Sequence, residues 1–173
     1  GDFRVAGPDP WERNLARLIG NQWISLARGI DGKVSALAIY RGGLVAGGDF
    51  LHVDFVTPAH HVAWFLGEWY PIGFGFGVND TIDVSEVRNL TLQGDNLLAG
   101  GAFELADLST ATGVARWDGS GWTPLGDGVG APVNALVVDG DVLYAGGEFH
   151  TAGGWNCDHV AAFRDGAWCP MSV

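Results

Sequence analysis

Short apolar runs separated by glycine and aspartate dominate the chain, and most of them alternate with period two. Val133 to Val138 alternates apolar and small residues and stops at Asp139-Gly140-Asp141. That turn lays the next run, Val142 to Phe149, antiparallel to it. A third run follows at Val160 to Phe163, and Arg164-Asp165-Gly166-Ala167 turns it into a fourth, Trp168 to Met171. The preceding stretch has the same second half: Val114 to Trp117, the turn Asp118-Gly119-Ser120-Gly121, then Trp122 to Leu125. Runs of this length, rich in Val, Leu, Trp and Phe, predict small antiparallel sheets and no helices. Trp11, Leu15, Leu18 and Ile19 do have helical spacing, but Asn14 to Ile19 aligns with the third run of the other units, so a strand is expected there.

The runs fall into units because three anchors recur in step. Gly-Gly-x-Phe occurs as Gly47-Gly48-Asp49-Phe50, Gly100-Gly101-Ala102-Phe103 and Gly146-Gly147-Glu148-Phe149, with a truncated Gly1-Asp2-Phe3 at the start. The four Phe residues are 47, 53 and 46 positions apart, and Trp23, Trp69, Trp122 and Trp168 follow at 46, 53 and 46. Val34-Ser35-Ala36-Leu37, Val87-Arg88-Asn89-Leu90 and Val133-Asn134-Ala135-Leu136 precede the complete tetrads. One partial unit, residues 1–28, and three complete ones, 29–73, 74–126 and 127–173, are therefore expected. A unit this short cannot bury its own apolar face and has to stack on neighbours.

An apolar run, Ala-Gly-Gly-x-Phe, then Val-Ala-x-Trp-Asp-Gly and a second Trp resembles the β-propeller repeats of the kelch type. The likeness is to the kelch-like repeats of bacterial surface and secreted proteins and of fungal cortical-marker proteins. It rests on Leu44 to Gly48, Leu97 to Gly101, Leu143 to Gly147 and aromatic pairs such as Trp117 and Trp122, and it covers nearly the whole chain. Phe stands where kelch repeats usually have Tyr after the glycine pair. The resemblance implies an all-β propeller of four-stranded antiparallel blades, about three and a half of them present. Glycine then serves close backbone approach, while the Phe and Trp anchors fill the space between sheets. Propellers close with four to eight blades, so the remaining blades are expected from a longer chain or from another copy. The implied function is that of a binding or structural module of an extracellular or cell-surface protein, which engages a protein or carbohydrate through its blade loops. The competing classes are a propeller enzyme (hydrolase, lyase or oxidase) with its site at the axis, and a self-assembling half-ring.

Composition and charge narrow the partners. A chain with 47% hydrophobic residues, 28 glycines and eight tryptophans is a folded one, and its formal net charge of −11 repels polyanions, so nucleic acid and anionic membrane surfaces are not expected partners. No run approaches the roughly 18 apolar residues of a membrane-spanning helix, so membrane insertion is not expected either.

Candidate chemistry lies between the second and third runs of each unit. His52, Asp54, His60 and His61 are the densest set of potential ligands, of a kind suited to a transition metal, though their spacing is irregular. Asp2, Asp49 and Glu148 follow the glycines and offer either a carboxylate ring for calcium or structural hydrogen bonds. Trp11 and Trp155 lie outside the repeat anchors and, with Phe55, are the candidate contacts for a sugar ring or a protein. If Phe163 pairs with Trp168, then Cys169 faces Ala162 and Cys157 lies five residues farther on, which opposes a disulfide. Asn79 and Asn89 begin glycosylation sequons, the second of them within a strand. No Gly-x-Ser-x-Gly elbow or paired acid and base supports catalysis.

Overall fold

A computed structural model of the protein describes residues 14–77 and 85–171. Among these residues every regular element is a strand, so no helix is long and apolar enough to cross a membrane. The first element is a two-stranded antiparallel ribbon, β1 (Ala16–Ile19) with β2 (Gln22–Ser25). The apparent helical period around Leu15 and Leu18 thus folds as strand and turn.

Three four-stranded sheets follow, each a meander of strands in chain order. Sheet I contains β3 (Val34–Tyr40), β4 (Gly43–Gly48), β7 (Val62–Phe65) and β8 (Trp69–Pro71), with a short hairpin, β5 (His52–Val53) and β6 (Thr57–Pro58), inserted at its centre. A short strand β9 (Phe76–Gly77) leads toward sheet II, which contains β10 (Glu86–Gln93), β11 (Asn96–Ala102), β14 (Val114–Trp117) and β15 (Trp122–Pro124). Its inserted hairpin is β12 (Leu105–Ala106) with β13 (Ser109–Thr110). Sheet III contains β16 (Val133–Asp139), β17 (Val142–Gly147), β20 (Val160–Arg164) and β21 (Ala167–Pro170), with the hairpin β18 (Thr151–Ala152) and β19 (Trp155–Asn156).

The glycine pair has two separate jobs. The first strand of each sheet bulges between Val34 and Ala36, Val87 and Asn89, and Val133 and Ala135. Opposite each bulge the second glycine lies so close to a backbone carbonyl (Lys33, Glu86 or Pro132) that a Cβ would overlap its oxygen. The first glycine faces the neighbouring sheet. A Cβ on Gly47 would come 2.5 Å from Cγ1 of Val87 in sheet II, and one on Gly100 would come 3.0 Å from Cγ of Leu136 in sheet III. Glycine is thus required twice over, for the bulge and for sheet-to-sheet approach.

The core lies mainly between sheets. Ala36, Tyr40, Val45 and Val62 of sheet I pack with Val87 and Leu90 of sheet II, and Leu98 and Val114 of sheet II with Val133 and Leu136 of sheet III. Each buried tryptophan adds a hydrogen-bonded tie to the preceding unit. Nε1 of Trp69 donates to the carbonyl of Leu26 at 3.1 Å, that of Trp122 to Ile72 at 3.0 Å, and that of Trp168 to Leu125 at 2.8 Å. Each also stacks at a tilt on an aromatic of the adjoining strand, Phe65, Trp117 or Phe163.

Candidate functional site

The segment between the second and third strands of each sheet, which reads in the sequence as a loop, is a hairpin pinned to the connector that enters the same sheet. The amides of Asp54, Asp107 and Gly153 donate to the carbonyls of Gly29, Gly75 and Gly128 at 2.9, 3.0 and 3.0 Å. Ile30, Phe76 and Val129 on the connectors are buried and pair antiparallel with Val53, Ala106 and Ala152 of the hairpins, which are buried too. The hairpins are therefore part of the packed structure, with their backbone tied to the connectors.

Their turns have positive φ at two successive positions: Asp54 and Phe55 (51° and 64°), Asp107 and Leu108 (48° and 67°), Gly153 and Gly154 (56° and 80°). The second and third hairpins have two-residue turns, which favour such angles, and the first has three loop residues, Asp54, Phe55 and Val56; only glycine reaches these angles without cost. In the second hairpin Asp107 offsets the cost with its side chain. Its Oδ1 accepts from the amide of Phe74 at 2.6 Å and its Oδ2 from that of Trp122 at 2.8 Å. Asp54 does less, accepting at Oδ1 from the amide of Arg28 at 2.9 Å.

Large apolar side chains stand out from this rim. Leu108 is 77% exposed, Val56 74%, Phe74 72% and Trp155 65%. Leu108 is doubly costly, being a branched side chain at φ 67° and an apolar one in water. Between Phe74 and Leu108 lies an open cleft of about 280 Å³, also lined by His60 and Leu105. Leu108, Phe74 and Val56 carry no sequence signal beyond their position beside turn residues, and sequence reasoning missed them. Trp155 was read from the sequence and stands exposed on β19. Phe55 is half-buried at its turn. Trp11, Asp2 and Asn79 lie outside the described residues.

Two of the four candidate metal ligands, His52 and Asp54, are turned to other partners. His52 Nδ1 lies 2.8 Å from Asp31 Oδ2, while Asp31 Oδ1 accepts from the amides of Leu51 and His52. Asp54 holds the Arg28 amide, His60 is exposed beside the cleft, and His61 is buried at a positive φ of 76°. Among the described residues no group of three or more His, Cys, Asp or Glu side chains could hold a metal ion. Asp49 accepts at Oδ1 from the Lys33 amide at 2.5 Å, and Glu148 Oε1 accepts from Arg88 at 3.0 Å. Asn89 lies on β10. Cys157 and Cys169 are both free thiols, with Cys169 opposite Ala162. Burial first, and then the Asp158 carboxylate, push the Cys157 thiol up from its ordinary value.

A chain of charged and polar side chains links the three sheets, from Lys33 just before β3 through Glu86 and Arg88 on β10 to Asn134 on β16 and Glu148 just after β17. Lys33 Nζ donates to Glu86 Oε1 at 2.8 Å and Ser35 to the same oxygen at 2.7 Å. Arg88 Nε donates to Glu86 Oε2 at 3.1 Å, and its Nη1 reaches Asn134 at 2.6 Å and Glu148. Partial burial alone would raise the Glu86 carboxyl, but the hydrogen bonds from Lys33, Ser35 and Arg88 outweigh it and hold the group at about 2. These charges satisfy one another, so they tie sheets together and present no unpaired group to a ligand. The rim is accordingly the better candidate site.

No protein-family model matches the chain, and no curated protein matches it.

Proposed function

We propose that the three sheets and the ribbon are consecutive blades of a kelch-like β-propeller, and that the chain works as a non-catalytic binding module of a secreted or cell-surface protein. It engages a protein or carbohydrate partner through the blade loops. The single observation that carries the reading is the exposure of Leu108, Phe74, Val56 and Trp155 on pinned hairpins and connectors. Exposed apolar side chains held at a conformational cost are a feature of contact surfaces. Trp155 presents an aromatic face to a sugar ring or to an apolar peptide side chain. The acidic chain favours neutral or cationic partners.

The test is a screen of the labelled chain against a glycan array and a peptide-display library, followed by Trp155→Ala, Leu108→Ser, Phe74→Ser and Val56→Ser. Specific binding weakened about tenfold or more by one of these, with Tm unchanged, is the expected result. Ligands indifferent to all four substitutions would overturn the rim as the site.

A further inference from the structure

The face that sheets I and II each turn toward the next sheet exists a third time, on sheet III, and there it is open. At equivalent positions on the third strands Val62 and Val114 are fully buried, whereas Val160 is 42% exposed. On the second strands Val45 and Leu98 are fully buried, and their counterpart Tyr144 is half-buried. Ala36 is buried and its counterpart Ala135 exposed; Val137 beside it is 60% exposed. The glycines agree. Gly47 and Gly100 have Val and Leu side chains of the next sheet against them, while a Cβ on Gly146 would find only the His159 carbonyl, at 3.8 Å. Even the residue whose carbonyl holds the second glycine follows suit: His61 is buried and His159 exposed.

We propose that this face of sheet III is the docking site for a further antiparallel sheet of the same kind, whose first strand carries Val and Leu three residues apart. The two filled faces define the occupant. Val87 and Leu90 fill the one on sheet I, and Val133 and Leu136 the one on sheet II. Among its described residues a second copy of the chain does not supply a free strand of that type. Its β10 and β16 are committed to its own sheets I and II; on its β3 Leu37 is exposed, but Val34, three residues before it, is held in a cluster with Leu15 and Leu26, which flank the ribbon β1–β2, so the pair is not free to dock together. The occupant is therefore a sheet from outside these residues. The inference rests on the three sheets being units of one repeat and is independent of the rim.

The experiment supplies such a sheet. Residues 126–171 are fused a second time after Met171, which stands where Leu125 does in the preceding unit. Their own Val133 and Leu136 already dock on Gly100 in sheet II. The fused chain is expected to unfold in one transition at a Tm raised by about 5 °C or more, with slowed hydrogen exchange at residues 159–162 of the inner copy. Gly146→Val in that copy should abolish both effects, yet leave the Tm of the 173-residue chain unchanged. An added sheet that stays unfolded, that melts independently, or that docks regardless of Gly146→Val overturns the proposal. So does concentration-dependent dimerisation of the 173-residue chain that Val160→Asp abolishes, because the occupant would then be another copy. Each failure leaves the ligand screen on the rim unaffected.

Discussion

Among the described residues sheet II has neighbours on both sides and the ribbon β1–β2 does not, and the same residue types behave differently in the two places. Trp122 in sheet II is 3% exposed and donates Nε1 to the Ile72 carbonyl; Trp23, at the matching position in the ribbon, is 49% exposed. Leu90, on the face that sheet II turns to sheet I, is 9% exposed, whereas Leu37 at the same point of sheet I, facing the ribbon, is 51% exposed. Burial here belongs to the contact between sheets and not to the sheet itself. A unit's anchors acquire their energetic weight only when the preceding or following sheet is in place, as expected of stacked architectures in which each unit touches only its neighbours. Three tests, taken from the largest expected loss to the smallest, probe that contrast.

Gly100→Val attacks the contact between sheets II and III directly. The added side chain must enter space held by Leu136 and Val133, both at 3.0 Å from a Cβ, and those residues are locked in a buried cluster. Overpacking of this kind costs about 2–3 kcal/mol. Chemical denaturation should show the loss clearly. If Gly100→Val were as harmless as a substitution on an exposed strand, the close approach of the sheets would be wrong.

Trp122→Phe comes next. It keeps an aromatic ring against Trp117 and Phe76 but removes the donor to Ile72, leaving a buried carbonyl without its partner. The expected loss is about 2 kcal/mol, combining the orphaned acceptor with the missing ring volume. Trp23→Phe should fall within about 0.5 kcal/mol of the parent, as for an exposed site. Equal losses at the two positions would erase the distinction between a stacked sheet and the ribbon.

How much of this was legible in the sequence depended on whether a feature recurs. The glycine pairs and tryptophans were visible because every sheet needs them at the same place: the bulge needs Gly48, Gly101 and Gly147, and the tie needs Trp69, Trp122 and Trp168. The same regularity hid the exposure of Trp23, whose spacing is identical to that of its buried counterparts. The inserted hairpins were not legible. Their strands are only two residues long, too short for a period to register, and their turns carry Asp-Phe and Asp-Leu in two of three cases in place of a glycine signal. The candidate ligands are legible only as residue types at an irregular spacing. Type could not show that His52 is turned to Asp31 and Asp54 to a backbone amide.

The charge chain between the sheets gives a smaller loss than either sheet contact, and it is the one that depends on pH. Positions 33, 86 and 132 are equivalent but hold Lys, Glu and Pro, so nothing periodic announced it. Glu86 is held at about 2 in the folded protein against an ordinary value of 4.5. Its carboxylate therefore stabilises the fold fully above about pH 4.5, and the contribution fades as pH falls toward 2, where the folded state also takes up the proton. Lys33, raised by its hydrogen bond to Glu86, contributes in the opposite sense and loses its share only as pH climbs past 10.5. On the acid side the comparison with Glu86→Gln isolates the carboxylate. The variant should be less stable by on the order of 1 kcal/mol at pH 7, since solvent screens part of the interaction. That gap should close between pH 4.5 and 2 as both proteins are followed by thermal unfolding. A gap that persists unchanged at pH 2 would mean that Glu86 acts through packing of its side chain, and that the three sheets are held together without the charges that cross them.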